Sequence, residues 1–409
     1  MTTLRTGGIA TSIKNLLHEI CKDDELEISI LLFNENTIEV NDIPTNIKVM
    51  GTGSALPQLV TLSQSETNAI SRTLGVTRLI AGAFAKIFGQ KIAYKFLFRN
   101  LDVPGKWDYA ISCTQSAPYH RLYGGCNEFV LDKVNAKNKI TFIHCDYLRY
   151  GINSKYNHTI YNRFDKIAAV SESVRNQFIM CEPYLERKTY VVANCHQYES
   201  IVVMAKDKPI EYDNSTFNIV TVARLSVEKG HFRFLEVLKK ITMYGYKIHW
   251  HIVGDSNDNY KNEFIEKYKE YGLNNITLYG NQSNPYRYML NADLLLVPSF
   301  HEAAPMVYSE AAALKLPVLS TDTLSAKELV EMKGIGYVCE NTSEGLYNGI
   351  LSILSNMDSF RALKNSMPNF NNNEALRQFY FLLRDKEDKC EQHDRTGKYS
   401  EFSSLKKFK

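Results

Sequence analysis

The feature that most constrains the fold is a regular alternation of short apolar segments and amphipathic segments in the second half of the chain. The strand-like "FNIVTVARL" (217–225) is followed by the helix-like "KGHFRFLEVLKKITMYG" (229–245) and then by "KIHWHIVGD" (247–255). The same alternation continues to "IGYVCE" (335–340). Short apolar strands separated by helices predict right-handed βαβ units and a parallel sheet covered on both faces. The second half is therefore predicted to be a doubly wound domain.

The first half alternates in the same way but less regularly, and a chain of 409 residues favours two domains. The sequence thus predicts an α/β protein with two Rossmann-like domains that face each other across a cleft. The predicted units are a first domain at 1–205, a linker at 206–216, a second domain at 217–370, a C-terminal helix at 371–383 and a disordered tail at 384–409. Ligands of open α/β sheets bind at the carboxyl ends of the strands, so the cleft is the expected site.

The overall composition excludes several classes of protein. The net charge of +3 is too weak to indicate a nucleic-acid partner. The eight cysteines are scattered without the spacing of a zinc site or a disulfide framework. No signal segment and no spanning apolar run is present in the sequence, so we expect a cytoplasmic protein with reduced thiols.

Two carboxylates follow one of the predicted strands. In "SFHEAAPMVYSEA" (299–311), Glu302 lies on a short loop and Glu310 lies inside the next helix, with Pro305 where a first helical turn tolerates it. The N–H groups at the start of a helix favour a phosphate or sugar oxygen, and carboxylates accept hydrogen bonds from paired hydroxyls. This segment therefore predicts a site for a sugar-phosphate ligand.

A loop with two cations, "VARLSVEKG" (222–230), follows a neighbouring strand. Arg224 offers a planar fork and Lys229 a point charge, and this combination suits a diphosphate that gains charge as it leaves. Taken alone, each cation is more typical of a solvated surface. Because the strand ends meet at one edge of the sheet, the two cations are predicted to share a site with Glu302 and Glu310.

On these residues the chain resembles glycosyltransferase family 4, the retaining enzymes of the GT-B fold, of the kind that act in bacterial surface polysaccharide assembly. The resemblance rests on "RLSVEKG", "EAAPMVYSE", "NADLLLVPS" and "PVLST", and it spans most of 217–356. Weaker similarity runs through "RTGGIATSIKNLL", "TFIHCDY" and "DKIAAVSESVRNQF" in the first half. The resemblance implies an acceptor-side first domain and a second domain that binds a nucleotide sugar.

The resemblance also implies which residues bind the donor. The matching positions are Arg224, Lys229, Glu302, Ala304, Met306, Val307 and Glu310. The two cations would hold the donor diphosphate. Glu302 and the amides after it would contact the donor sugar, and Glu310 would bind the ribose.

In the first domain, the resemblance implies that Gly7 and Gly8 lie in the cleft near the donor phosphates. His144 matches the cleft histidine of the family and would contact the donor sugar or orient the acceptor, with Asp146 as its companion. A lone histidine is otherwise more often a structural residue, and His301 is expected to be one.

Two positions in the sequence depart from the family pattern. Ala303 stands where many relatives have glycine, so a positive φ there would be strained, and Gln197 stands where relatives often have aspartate.

No side chain stands out as a covalent nucleophile, so we expect front-face substitution. No D-x-D motif ends a strand, so Arg224 and Lys229 are expected to replace a divalent metal, and no cofactor is expected.

The glycine loop raises a question about the start of the chain. In relatives a strand precedes this loop, and here only Met1 to Thr6 do so. Loss of a central strand would leave the backbone of its two neighbours unpaired. We therefore expect that the natural start lies upstream and that Met1 belongs to the end of that strand or follows it.

The region 72–99 combines positive charge with a helical apolar stripe, and no acidic residue lies between Glu66 and Asp102. The basic residues are Arg72, Arg78, Lys86, Lys91, Lys95 and Arg99, and the apolar stripe is Leu79, Ile80, Ala83, Phe84, Ile87, Phe88 and Ile92. This pattern is typical of contact with an anionic membrane surface, and it would favour a polyprenyl-linked or other lipid-linked glycan acceptor. A core-packed helix with a solvated basic rim is the alternative.

Two other functions fit the same architecture. One is a nucleotide-sugar epimerase, which would turn over the donor with no acceptor present. The other is a catalytically silent glycosyltransferase-like subunit that stabilises a partner. The sequence leaves open the nucleotide base, the donor sugar, the linkage, the acceptor and the oligomeric state.

Overall fold

The computed structural model describes residues 1, 4, 7–35 and 43–384. Of the predicted tail at 384–409, residues 385–409 lie outside this part of the chain.

The strands and helices alternate along both halves of the chain. The strands are β1 (Ser29–Leu32), β2 (Lys48–Gly51), β3 (Trp107–Ser112), β4 (Ala136–Ile143), β5 (Lys166–Ala169), β6 (Thr189–Val191), β7 (Phe217–Val222), β8 (Ile248–Val253), β9 (Ile276–Leu278), β10 (Leu294–Val297), β11 (Val318–Thr321) and β12 (Gly336–Cys339). The first eight helices are α1 (Gly8–Ile20), α2 (Gln64–Ile70), α3 (Arg72–Phe88), α4 (Gln90–Leu97), α5 (Cys126–Lys133), α6 (Lys155–Asn162), α7 (Glu172–Cys181) and α8 (Tyr198–Lys206). The others are α9 (His231–Met243), α10 (Asp258–Glu270), α11 (Tyr286–Met289), α12 (Met306–Ala313), α13 (Ser343–Ser355), α14 (Met357–Ser366) and α15 (Asn373–Leu383).

The second half contains a six-stranded sheet in the order β12-β11-β10-β7-β8-β9, and every adjacent pair is parallel. Its central strands read as continuous apolar runs because both faces are covered: all four residues of β10 are buried. One face packs against α9 and α13 through a core that includes Trp250 and Phe234. The other face packs against α8 and α12 through a core that includes Tyr308 and Met289. This is the predicted doubly wound arrangement.

Among the described residues of the first half, the parallel strands fall into two sheets. Strands β3, β4, β5 and β6 make a four-stranded sheet in sequence order, and β1 pairs with β2. Met1 lies beside β1: its amino group donates to the Leu31 carbonyl over 2.7 Å, and the Phe33 N–H donates to the Met1 carbonyl over 3.0 Å. Leu4 is buried in the core of this half.

The two halves contact each other at several points. The Glu328 carboxylate accepts hydrogen bonds from the N–H groups of Glu172 (2.9 Å) and Ser173 (2.8 Å) at the start of α7. The hydroxyls of Ser171 and Ser325 lie 2.7 Å apart. Glu328 belongs to a five-residue π-helix, Lys327–Glu331.

The last helix, α15, returns to the first half. Phe379 and Leu382 are buried in the same core as α1 and β4. The Lys166 ammonium donates to the Leu382 carbonyl over 2.6 Å. The chain thus begins and ends its described part in the first half.

The basic, apolar region folds into two helices. Gly89 separates α3 from α4 with a φ of +82°, a conformation that favours glycine, and a Cβ at this position would collide with the Tyr119 ring. The stripe of α3 faces outward, with Ile87 68% exposed, and Ile92 of α4 is exposed beside it. The core-packed alternative is therefore wrong for this stripe. The large exposed apolar residues of the two helices are Val76, Leu79, Ile80, Phe84, Ile87, Phe88, Ile92 and Phe96.

Throughout the described ranges, the helices are either too short or too polar to cross a bilayer.

Candidate functional site

The centre of the candidate site is an ion pair between the loops that follow β7 and β10. The Lys229 ammonium donates to Oε1 of Glu302 over 2.6 Å, and the Ser299 hydroxyl donates to the same oxygen over 2.8 Å. The two charged side chains are only 22% and 12% exposed, so water screens their attraction less than on an open surface. The structure thus brings together two of the residues that the sequence predicts to act in one site.

Glycine at position 230 makes this approach possible. Gly230 has a φ of +70°, and a Cβ there would collide with the Pro298 carbonyl at the end of β10. The two loops are also joined through their backbones, because the Phe300 N–H donates to the Glu228 carbonyl over 2.8 Å. Any larger residue at 230 would push the Lys229 loop away from the Glu302 loop.

Arg224 lies on the same loop as Lys229 but is not joined to Glu302. Its side chain is 78% exposed, and its guanidinium lies 3.5 Å from the Glu228 carboxylate. A guanidinium in this state is free to turn toward an incoming anion at little cost in broken contacts. Its part in binding a diphosphate stays a prediction.

The helix after Glu302 presents its start to the cleft. Pro305 is the N-cap residue of α12, and this helix has no side-chain cap among the described residues. Proline offers no N–H, so the free donors near this helix start are the amides of residues such as Ala304, Met306 and Val307. The φ angle of Ala303 is not positive, so alanine in place of glycine introduces no backbone strain there.

Glu310 lies on α12, in the first turns after this helix start. The Tyr286 hydroxyl donates to its carboxylate over 3.4 Å. Burial raises the pKa of Glu310 to about 7, because the charged form loses the hydration it has in water. A carboxyl group that changes charge near neutral pH is typical of a functional site.

The glycine loop of the first half lies against this region. Gly7 is the N-cap of α1 with a φ of +148°, which favours glycine, and no side chain of the described residues caps the helix. A Cβ built on Gly8 would be 3.8 Å from Cγ of Met306. The starts of α1 and α12 therefore lie close together, and the unpaired N–H groups of both can serve an anion.

His144 follows β4 at its carboxyl end and is a neutral imidazole at pH 7. Burial lowers its pKa to about 4, while the Cys113 carbonyl accepts a hydrogen bond from the ring. The ring stacks on Phe142 with 5.6 Å between centroids. Nε2 is buried and has no hydrogen-bond partner in the described part of the chain. An unpaired acceptor of this kind suits a hydroxyl group of a ligand.

Three contacts of the site were not predicted from the sequence. Ser299 lies two residues after the end of β10 and three before Glu302, and a polar residue directly after an apolar strand is a signal that the sequence offers. Tyr286 lies on another helix, α11, and no pattern in the sequence near either residue predicts its contact with Glu310. Arg149 of the first half contacts the His301 ring and lies 3.6 Å from the Asp146 carboxylate. His301, expected to be structural, thus lies where the two halves meet.

Comparison with known proteins identifies a recognised domain in the second half, which contains the Lys229–Glu302 pair. Residues 205–370 match the family model described as glycosyl transferases group 1. The chain is 29% identical over 144 residues to an uncharacterised glycosyltransferase of Methanocaldococcus jannaschii, which covers 34% of this chain and 35% of the relative. It is 24% identical over 214 residues to the amylovoran biosynthesis glycosyltransferase AmsD of Erwinia amylovora, which covers 48% of this chain and 60% of the relative. In these two curated relatives the match spans no more than about three fifths of their own length.

The solved structures extend the likeness over both halves. HepE of Anabaena, crystallised in complex with UDP, superposes with a TM-score of 0.62 at 17% identity, covering 93% of this chain and 97% of that chain. The fold is therefore GT-B, as predicted: two Rossmann-like domains with the candidate site between them.

Proposed function

We propose that the chain is a retaining glycosyltransferase of polysaccharide biosynthesis. It moves a hexosyl-type sugar from a nucleoside-diphosphate sugar to a hydroxyl of a glycan or lipid-linked glycan. The observation that carries the proposal is the Lys229–Glu302 pair, which lies beside the uncapped start of α12 inside the region that matches glycosyl transferases group 1. The UDP bound to HepE and the amylovoran role of AmsD support this donor class and this pathway class.

Donor binding would exchange one charge pair for another. The donor diphosphate takes the Lys229 ammonium from Glu302, with Arg224 turning in from solvent, and the freed Glu302 carboxylate accepts hydrogen bonds from the sugar hydroxyls. The two cations stabilise the growing charge of the leaving diphosphate. They stand in place of a divalent metal, so EDTA is expected to leave donor binding unchanged.

The first half would complete the site. The α1 start at Gly7 and Gly8 faces the phosphates, and Nε2 of His144 accepts a hydrogen bond from the donor sugar or the acceptor. The acceptor hydroxyl attacks on the face from which the diphosphate leaves, and the departing phosphate takes its proton.

Calorimetric titration with UDP, GDP and ADP tests the proposal. We expect the wild-type protein to bind one of these nucleotides and the double variant Arg224→Ala/Glu310→Ala to lose that binding. Retained binding in the variant would place the nucleotide elsewhere. Absence of binding by the wild type would favour a silent partner subunit, and release of free sugar from the donor with no acceptor present would favour an epimerase.

The pH dependence of nucleotide binding reports on Glu310. The pKa of this carboxyl is raised to about 7, so it is ionised above pH 7 and then accepts hydrogen bonds from both ribose hydroxyls. If the ionised form binds, affinity is expected to fall about tenfold from pH 8 to pH 6. Calorimetry at several pH values measures this dependence.

The variant Glu310→Gln is the control for that measurement. Its amide does not titrate, so only the protonation of the nucleotide's own phosphate remains, and that contribution is common to both proteins. We expect weaker binding at pH 8 and a flatter profile. Identical profiles for the two proteins would remove Glu310 from the ribose site.

We further propose that α3 and α4 bind the anionic face of a membrane, which places the site near a lipid-linked acceptor. Their exposed apolar stripe would enter the interfacial region of the bilayer, and Lys86, Lys91 and Lys95 would meet lipid phosphates. The segment between Glu66 and Asp102 has no acidic residue, so the charges that it carries itself all attract anions.

A further inference from the structure

A buried arginine holds the loop that carries Glu302. Arg233 lies on α9 and is only 8% exposed. One terminal nitrogen donates to the carbonyls of Pro298 and Ser299, the latter over 3.1 Å. The other donates to the side-chain oxygen of Asn341 over 2.8 Å and to its carbonyl over 3.2 Å. The guanidinium also lies over the Phe300 ring, 4.0 Å from its centroid.

Asn341 holds the next residue of the same loop, Phe300. Its side-chain amide donates to the Phe300 carbonyl over 3.0 Å. The carbonyls of Pro298, Ser299 and Phe300, three in succession, are thus held by Arg233 or by the residue that Arg233 binds. The next contacts along the loop are those of Ser299 and Lys229 with Glu302.

The chemistry of this contact is specific to arginine. A buried cation is costly unless its donors are bonded, and here both terminal nitrogens have carbonyl or amide oxygen partners, whereas the buried Nε has none among the described residues. A guanidinium is a rigid fork that can bind two separate acceptors at once while stacking on a ring. Lysine carries all its donors on one nitrogen and has no planar group to stack on Phe300, so it would reproduce this set of contacts only in part.

We propose that Arg233 is a positioning residue, which fixes residues 298–302 so that Glu302 and the amides after it face the donor sugar. Arg233 acts only through the loop. The part of this inference that concerns the sugar rests on the proposed function, whereas the part that concerns the loop does not.

Hydrogen–deuterium exchange of the ligand-free protein tests the loop directly. We expect faster exchange of the amides at 299–304 in Arg233→Met and Arg233→Lys, with exchange in β10 unchanged, because the carbonyl anchors are lost while the strand ladder remains. Asn341→Ala, a milder change, is expected to raise exchange at the same amides. The matched control is Arg175→Met, which removes an arginine that donates to the Thr189 carbonyl in the first half.

Calorimetry tests the consequence for the donor. The probes are UDP, GDP and ADP, each against a sugar conjugate: UDP-glucose, GDP-mannose and ADP-glucose. In the Arg233 variants we expect affinity for the bound sugar conjugate to fall about tenfold more than affinity for the bare nucleotide, since hydrogen bonds to a charged group are lost only on the sugar side.

Chemical rescue distinguishes a positioning role from a general loss of packing. An open cavity of about 370 Å³ is lined by Arg233, Phe300 and Asn341, so a small cation can enter from solvent. Millimolar guanidinium is expected to restore the sugar-dependent affinity of Arg233→Ala and to leave Arg175→Met unchanged.

Each outcome bears on a separate claim. Unchanged exchange at 299–304 in both Arg233 variants would overturn the positioning role, whatever nucleotide binds. Faster exchange in a protein whose wild type binds no nucleotide would uphold the positioning role and remove the proposed function. Equal losses of affinity for the bare nucleotide and for its sugar conjugate would show that Arg233 does not act on the binding of the donor sugar.

Discussion

Lys229→Met is expected to weaken binding of the nucleoside diphosphate about 10- to 100-fold. In the proposed function Lys229, a partly buried cation, makes the charge-assisted contact to the diphosphate, and hydrogen bonds to charged groups contribute about 1.5–3 kcal/mol. The substitution also leaves the Glu302 carboxylate without its cation, although the Ser299 hydroxyl still donates to it. An unpaired carboxylate beside the diphosphate repels it, which adds to the loss. Calorimetric titration measures the change.

The matched control is Lys240→Met. Lys240 is an exposed lysine on α9, and its ammonium lies 3.9 Å from the Glu344 carboxylate. Its substitution removes the same charge as Lys229→Met, but at a position away from the site. It is expected to leave nucleotide affinity within about twofold, as for other exposed ion pairs. Equal affinities for Lys229→Met and the wild type would show that the nucleotide does not use this pair.

Reversing the charges of Lys86, Lys91 and Lys95 to glutamate is expected to reduce vesicle binding more than 100-fold. Each lysine near an anionic surface contributes about 1 kcal/mol, and each glutamate adds repulsion. The measurement is sedimentation with mixed vesicles of phosphatidylglycerol and phosphatidylcholine, whose anionic surface attracts basic segments. Binding is expected to weaken with added salt, because the surface charges are screened.

Two further variants separate the charge from the apolar stripe. Phe84→Ser/Ile87→Ser keeps every lysine and removes two exposed apolar side chains, so binding is expected to fall while its salt dependence remains. Lys239→Glu/Lys240→Glu/Lys269→Glu makes the same charge change in the second half and is expected to bind as the wild type does. If the α3–α4 charge reversal binds vesicles as well as this control, the membrane contact is wrong.

The sequence alone was sufficient for the doubly wound second domain and for placing Lys229 and Glu302 at the same edge of its sheet, although their ion pair was not predicted. Short continuous apolar runs that alternate with helices are typical of central parallel strands, and the ends of parallel strands meet at one edge of the sheet. Residues on the loops that follow different strands could therefore be placed at one edge without coordinates.

Other features depend on contacts between distant segments. Whether the stripe of α3 is buried or exposed depends on what packs against it, and an amphipathic pattern reads the same in both cases. Arg233 occupies the buried face of α9, where a cation breaks the apolar pattern. That break was visible in the sequence, but its partners at 298–300 and 341 come from other elements. The close approach of the Tyr119 ring to Gly89, between α3 and α4, is likewise a contact between distant segments.

The return of α15 to the first half changes what a cut between the domains can do. The connection at 206–216 is one covalent link between the halves, and the segment that leads to α15 is a second. A protease that nicks the chain only at 206–216 leaves a C-terminal fragment whose last helix is still buried in the N-terminal fragment, around Phe379 and Leu382. The two fragments should therefore co-purify under native conditions and separate only in denaturant, and a first half produced without α15 would expose the apolar surface that this helix covers.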